Sequence, residues 1–143
     1  MSLQCAERVR PLLIEHDISV STYDIDFAGH VSNIAYLRWL EDMRLKVFER
    51  HFPLESFMRQ GLAPILVATN IAYKRPIRLF DKPRGLMWVA GVSRVTFTME
   101  GEILVDGQLA TSATHVGLFI DIATHKPVRL PAVCLEQFER SKG

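Results

Sequence analysis

Two carboxylates, a glycine, a histidine and an asparagine fall within the ten residues of "DIDFAGHVSN", Asp24 to Asn33. From Ile34 to His51 the chain then runs without Gly or Pro, and Pro53 blocks continuation, so a helix is expected there. A helix start offers unpaired backbone N–H groups and the positive end of the macrodipole, which together suit a developing negative charge. Asp26 places a carboxylate just ahead of those donors, Gly29 lets the backbone turn and leaves room for a substrate, and His30 could shuttle a proton. These types at this spacing suit acyl transfer, with oxyanion stabilisation and a base side by side. Each also has a plainer reading. An Asp near a helix start often caps it or braces a turn, and this is the preferred role for Asp24. His30 could be a local hydrogen-bonding residue, and either Ser32 or Asn33 could be the N-cap.

The elements that must position this junction can be read outward from it. Residues 18–25, "ISVSTYDI", alternate apolar and polar as a strand would, leading into the turn. On a helical wheel Arg38, Asp42, Lys46 and Glu49 form one narrow arc, with Asp42 and Lys46 ordered for an i, i+4 pair. Tyr36, Leu37, Trp39, Leu40, Met43, Val47 and Phe48 fill a wide opposite arc, so the helix should be largely wrapped. After Gly61 nearly everything carries strand signals. In "ILVATNIAYK", Ile65, Val67, Thr69, Ile71 and Tyr73 share one face; "LMWVAGVSRV" and "TFTMEGEILV" follow, and Asp106-Gly107 is a two-residue hairpin signal before "QLATSATHVGLFID". A short helix around Leu135–Arg140 ends the pattern. The fold class is α+β, an antiparallel sheet of about five strands curled round one long central helix.

Composition limits what such a fold would do. With 143 residues, one domain covering 1–143 is expected, and 17 basic against 16 acidic residues leave a net charge of +1, without the field of a general nucleic-acid binder. Cys5 and Cys134 lie far apart without metal-ligand spacing, so neither a zinc site nor a disulfide framework is expected. The N-terminal stretch mixes charges into its apolar residues and reads as neither signal peptide nor membrane span, which suggests a cytoplasmic protein with no membrane partner.

"DIDFAGHVSNIAYLRWLEDMR" resembles the signature of hot-dog fold acyl-CoA thioesterases of the 4-hydroxybenzoyl-CoA thioesterase family, DxDxxGHVNNxxYLxWxExxR. Asp24, Asp26, Gly29, His30, Val31, Asn33, Tyr36, Leu37, Trp39, Glu41 and Arg44 fall in register. "IAYKRPIRLFD" and "DGQLATSATHVGLFIDIATHKPVRLP" are similar to later parts of that family, whereas Ser32 replaces a common Asn and "LFDKPRGL" is looser than the usual turn. The resemblance implies a hot-dog fold and hydrolysis of acyl-CoA or aroyl-CoA thioesters without metal or organic cofactor. Asp26 would be the catalytic carboxylate, with backbone amides near Asn33 polarising the carbonyl. It also implies a homodimer or homotetramer with the active site at a subunit boundary. The basic run "KRPIRLFDKPR" makes Lys74, Arg75 and Arg78 candidates for the CoA phosphates, alongside the reading of solvated loop charge. Glu41, about 12 Å further along the helix than Asn33, reads as a structural partner of Arg44. The alternatives on the same scaffold are a non-catalytic acyl or acyl-carrier binding module and an enoyl-CoA hydratase.

Overall fold

The computed structural model describes residues 9–142. In chain order the elements are β1 (Ile14–Asp17), a 3-10 turn (Thr22–Asp24), α1 (Asn33–His51), α2 (Leu54–Arg59), β2 (Leu62–Tyr73), β3 (Arg84–Val92), β4 (Thr96–Val105), β5 (Gln108–Asp121), β6 (Pro127–Val128) and α3 (Ala132–Lys142). The strands form one antiparallel sheet in the order β1-β3-β4-β5-β2, with β6 also on β5. This is the expected α+β architecture of a curled sheet and a long helix, with six strands in place of about five. The sixth arises because β4 begins only at Thr96, opposite Leu118, and β6 takes its place beside Phe119 and Ile120.

Strict alternation makes β4 and β5 the centre of the sheet. Phe97, Met99, Gly101 and Ile103 of β4 are buried, as are Thr111, Ala113, His115, Gly117 and Phe119 of β5, while the residues between them are more exposed. The hairpin joining the two strands carries positive φ at both Asp106 (52°) and Gly107 (76°), as a type I′ turn requires. From α1, Leu40, Met43, Val47 and Phe48 join the same core cluster. Its densest part is aromatic: Phe48, Phe57 and Phe97 meet Phe119 at ring-centroid distances of 6.3, 5.4 and 6.0 Å. Burying each such side chain contributes about 1.5–3 kcal/mol, so this end of α1 is firmly anchored.

Four sequence expectations are corrected. Residues 18–25 are not a strand: Asp24 folds back, accepting the Ser21 amide on Oδ2 at 2.8 Å while its own amide donates to Ser21 O at 2.9 Å, and that local closure makes a 3-10 turn. The first strand lies earlier, at Ile14–Asp17. In β2 a bulge between Leu66 and Ala68 breaks the two-residue period, so Thr69, Ile71 and Tyr73 oppose the inner residues His115, Ala113 and Thr111, whereas Ile65 opposes Leu118 on the outer face. Finally, α1 is less wrapped than its wheel implies. Ile34, Leu37 and Leu45 are 61%, 48% and 45% exposed, and among the described residues Asp42 and Lys46 do not pair with each other.

Candidate active site

The junction before α1 is built by its own hydrogen bonds. Asp26 Oδ1 accepts the amides of Ala28 (2.9 Å) and His30 (3.3 Å), the Gly29 amide donates to Asp26 O (3.0 Å), and the Asp26 amide donates to His30 O (2.8 Å). Gly29 sits at φ +82°, a conformation that costs an L side chain about 1–2 kcal/mol, which is why glycine occupies the tip of this return. Val31 N–H then donates to Ile77 O at 2.8 Å and Ser32 N–H to Asp24 O at 2.8 Å, tying the turn to the segment after β2 and fixing where α1 begins. Asp24 is buried and engaged with Ser21 N–H, the turn-bracing role expected of it.

Ser32, not Asn33, is the N-cap: its hydroxyl accepts the Ala35 amide at 3.4 Å. Asn33 is the first helical residue. The Ala35 and Tyr36 amides are turned back to Ser32 O, while those of Asn33 and Ile34 have no acceptor among the described residues. The α1 pole therefore presents two unengaged donors. Asp26, His30 and Asn33 all line one open cleft of about 370 Å³, completed by Tyr36, Tyr73, Lys74, Arg75 and Pro76. Gly29 shapes the turn beside it. Lys74 and Arg75 are held at the rim by their amides, both donating to Ala110 O (2.8 and 3.0 Å), and the Arg75 guanidinium hydrogen-bonds Gln108. Arg78 is outside the lining; its amide donates to Asp81 Oδ2 at 2.9 Å.

Tyr36 belongs to the site although its place in the apolar arc concealed it. Its ring meets that of Tyr73 edge-on at 5.0 Å. Burial pushes its hydroxyl pKa up; the neighbouring Thr111 side chain and Ile77 backbone act the other way and the Tyr73 and Asp26 charges reinforce the rise, so the group remains protonated at neutral pH. The signal that could have found it is its spacing: Tyr36 lies three residues after Asn33, on the same side of the first helical turn. Glu41 is exposed and does not line the cleft. Its charge raises the pKa of half-buried Arg44, partly offsetting the lowering caused by burial, which fits a structural pairing.

A second polar group lies inside the core. His115 is fully buried, with Nδ1 3.1 Å from Thr69 Oγ1, and burial followed by the nearby Arg44 charge lowers its pKa to about 4. It is neutral at physiological pH. Cys134 is likewise buried and unpaired with another cysteine, and desolvation pushes its thiol up to about 12, so it stays protonated; Cys5 lies outside the described residues. No group of three His, Cys, Asp or Glu among the described residues could hold a metal ion.

A curled antiparallel sheet, a long helix and an acid-braced turn at that helix's amino pole together define a hot-dog protein of thioesterase type. The description of the Thioesterase-like superfamily matches residues 20–138, and the chain belongs to that superfamily. It is 28% identical over 133 residues to the long-chain acyl-CoA thioesterase FadM of Escherichia coli (strain K12), a match covering 89% of this chain and 98% of that protein. The crystal structure of DHNA-CoA thioesterase from Staphylococcus aureus is similar with a TM-score of 0.83 and 25% identity, covering 90% of this chain and 89% of the other. YbaW, a probable thioesterase from Escherichia coli, gives a TM-score of 0.80 at 25% identity, covering 91% and 99%. Thioester hydrolysis is thus the general chemistry that these relatives support for the chain.

Proposed function

We propose that this protein is a cytoplasmic enzyme that hydrolyses acyl-CoA or aroyl-CoA thioesters to the free acid and CoA, with Asp26 as nucleophile or general base. One observation carries the reading: the Asp26 carboxylate and the amino pole of α1 share one cleft. The thioester carbonyl oxygen would face the unengaged amides of Asn33 and Ile34, which stabilise the oxyanion as it forms. In the general-base form Asp26 takes a proton from water while the water oxygen bonds to the carbonyl carbon. The C–S bond then breaks and the proton passes to the departing sulfur. In the nucleophilic form the Asp26 carboxylate bonds to the carbonyl carbon, the C–S bond breaks to release CoA as the thiolate and leave an anhydride, and water then opens that anhydride to regenerate Asp26 and give the free acid. Tyr36, and His30 at the cleft edge, supply further polar contacts. The Lys74 and Arg75 side chains at the rim suit the phosphates of CoA, with Arg78 further along the same segment. Neither route needs a metal or organic cofactor.

The assembly belongs to the same proposal. β2 is an edge of the sheet twelve residues long, and with α1 it exposes Ile34, Leu37, Ile65, Val67 and Tyr73. Such an edge is a template for pairing, so we assign it to a homodimer that brings the cleft to a subunit boundary. Light scattering at micromolar concentration tests this, and a monomer would refute it. For the chemistry, thiol release from a panel of CoA esters is compared between wild type and Asp26→Asn; undiminished turnover by a folded variant would remove Asp26 from the mechanism.

A further inference from the structure

Six of the eight phenylalanines are buried, each at 8% exposure or less; Phe27 and Phe80 are exposed at 104% and 90%. Both stand at the tips of tight turns. Phe27 follows Asp26 in the return closed by the Gly29 amide on Asp26 O (3.0 Å), and Phe80 lies in the return closed by the Asp81 amide on Arg78 O (3.1 Å). Each turn is also braced by its own aspartate: Asp26 Oδ1 takes the Ala28 amide, and Asp81 Oδ2 takes the Arg78 amide. The two turns lie at the same end of the molecule, because Val31 N–H bonds Ile77 O, and Asp26 and Pro76 line the same cleft. Both aromatic rings are therefore exposed on turns closed by backbone hydrogen bonds, in segments that adjoin the cleft-lining residues.

The segment that carries Phe80 is predominantly basic. Between residues 74 and 84 there are five basic side chains and one acid, Asp81, whose carboxylate is turned onto a backbone amide. Arg84 pairs with Glu15, and Arg75 with Gln108. Lys74, Arg78 and Lys82 have no ion-pair partner among the described residues. Apolar tips flanked by cations match a surface that is anionic at its face and apolar beneath.

We infer that the Asp26 and Asp81 turns form a membrane-surface contact, with Phe27 and Phe80 entering the headgroup boundary and Arg78 and Lys82 facing anionic lipid. This departs from the sequence expectation of no membrane partner. No helix among the described residues is long and apolar enough to cross a membrane, and contact through turn tips requires none. The inference does not depend on which ester is hydrolysed.

Cosedimentation of the full chain with vesicles of phosphatidylcholine, alone or mixed with phosphatidylserine, tests it. Binding is expected to the mixed vesicles, to weaken as salt is raised, and to be slight with phosphatidylcholine alone. Phe80→Ser should lower the partition about tenfold, from the lost apolar burial. Lys82→Glu should lower it about fivefold or more. Both residues lie outside the catalytic and substrate-binding groups, so thiol release from a short-chain, freely soluble ester should be unchanged in each variant, and the melting temperature with it. The inference is overturned by wild type that fails to bind mixed vesicles, by a Phe80→Ser variant that binds as well as wild type, or by a Phe80→Ser change in molar mass by light scattering with vesicle binding intact. Tight binding to an acidic, phosphopantetheine-bearing acyl carrier protein that Phe80→Ser abolishes, with vesicle binding unaffected, would overturn it in favour of a protein partner.

Discussion

At its carboxyl end α1 is locked into a dry aromatic cluster, where Phe48 meets Phe52, Phe97 and Phe119 at ring distances of 5.6, 5.9 and 6.3 Å. At its amino end the same helix emerges into an open cleft with two unengaged amides and an exposed first residue. On the proposed mechanism the two ends would divide the labour. Unpaired donors are costly where water is excluded, yet they are what an oxyanion needs, and the packing at the far end holds the helix still enough for the near end to leave them open. Stability should therefore concentrate at one pole and activity at the other.

Separate damage to each end tests that division. Asp26→Asn should reduce thiol release by about 10² to 10⁴, the usual worth of a positioned base. Its melting temperature should hardly move, since the amide oxygen of Asn can still accept from Ala28 and His30; a joint collapse of activity and stability would show that the poles are not independent. Phe119→Ala should do the reverse. Loss of about 3–5 kcal/mol in denaturant unfolding is expected, with KM unchanged in the fraction that remains folded.

A subtler probe lies between the poles. His115 is held neutral with its pKa lowered from 6.5 to about 4, so the unfolded chain takes up a proton before the folded one does. Its contribution is complete above pH 6.5 and is lost as the pH falls through about 4. Up to about 3 kcal/mol should disappear over that window by urea denaturation, and His115→Leu should flatten this part of the profile. The smallest effect is expected at the helix start, where Ser32→Ala should cost about 1 kcal/mol by removing the N-cap, measured by thermal unfolding.

The contrast between the poles also explains what could be read from the chain. β4 and β5 were legible to the residue because Thr96–Val105 and Gln108–Asp121 alternate cleanly about an Asp-Gly turn. The span of α1 was legible from its missing breakers and Pro53. Residues 18–25 misled because alternation says nothing about a side chain such as Asp24 that bonds its own backbone. The bulge beside Val67 was hidden because one extra residue shifts the faces without altering composition. Exposure of Leu37 on α1 was invisible for another reason: a wheel finds an apolar arc but cannot tell which part of it the sheet leaves bare. At the site, Asp26, His30 and Asn33 were local in sequence and could be foreseen together. Tyr73 reaches them only through the long-range packing of β2, and Tyr36 looked like core.

That irregular step in β2 has a bearing on how many copies can join. A flat, regular margin of this length would accept a neighbour in several alignments and could nucleate open-ended fibres. A kink at mid-strand restricts the docking to few alignments, and two copies meeting head to foot would occupy each other's margin at once. The opposite margin, β1, is only four residues long and offers little purchase for a third. On the proposed pairing, growth that would otherwise run on would be brought to a close by the same residue that spoiled the simple count of faces.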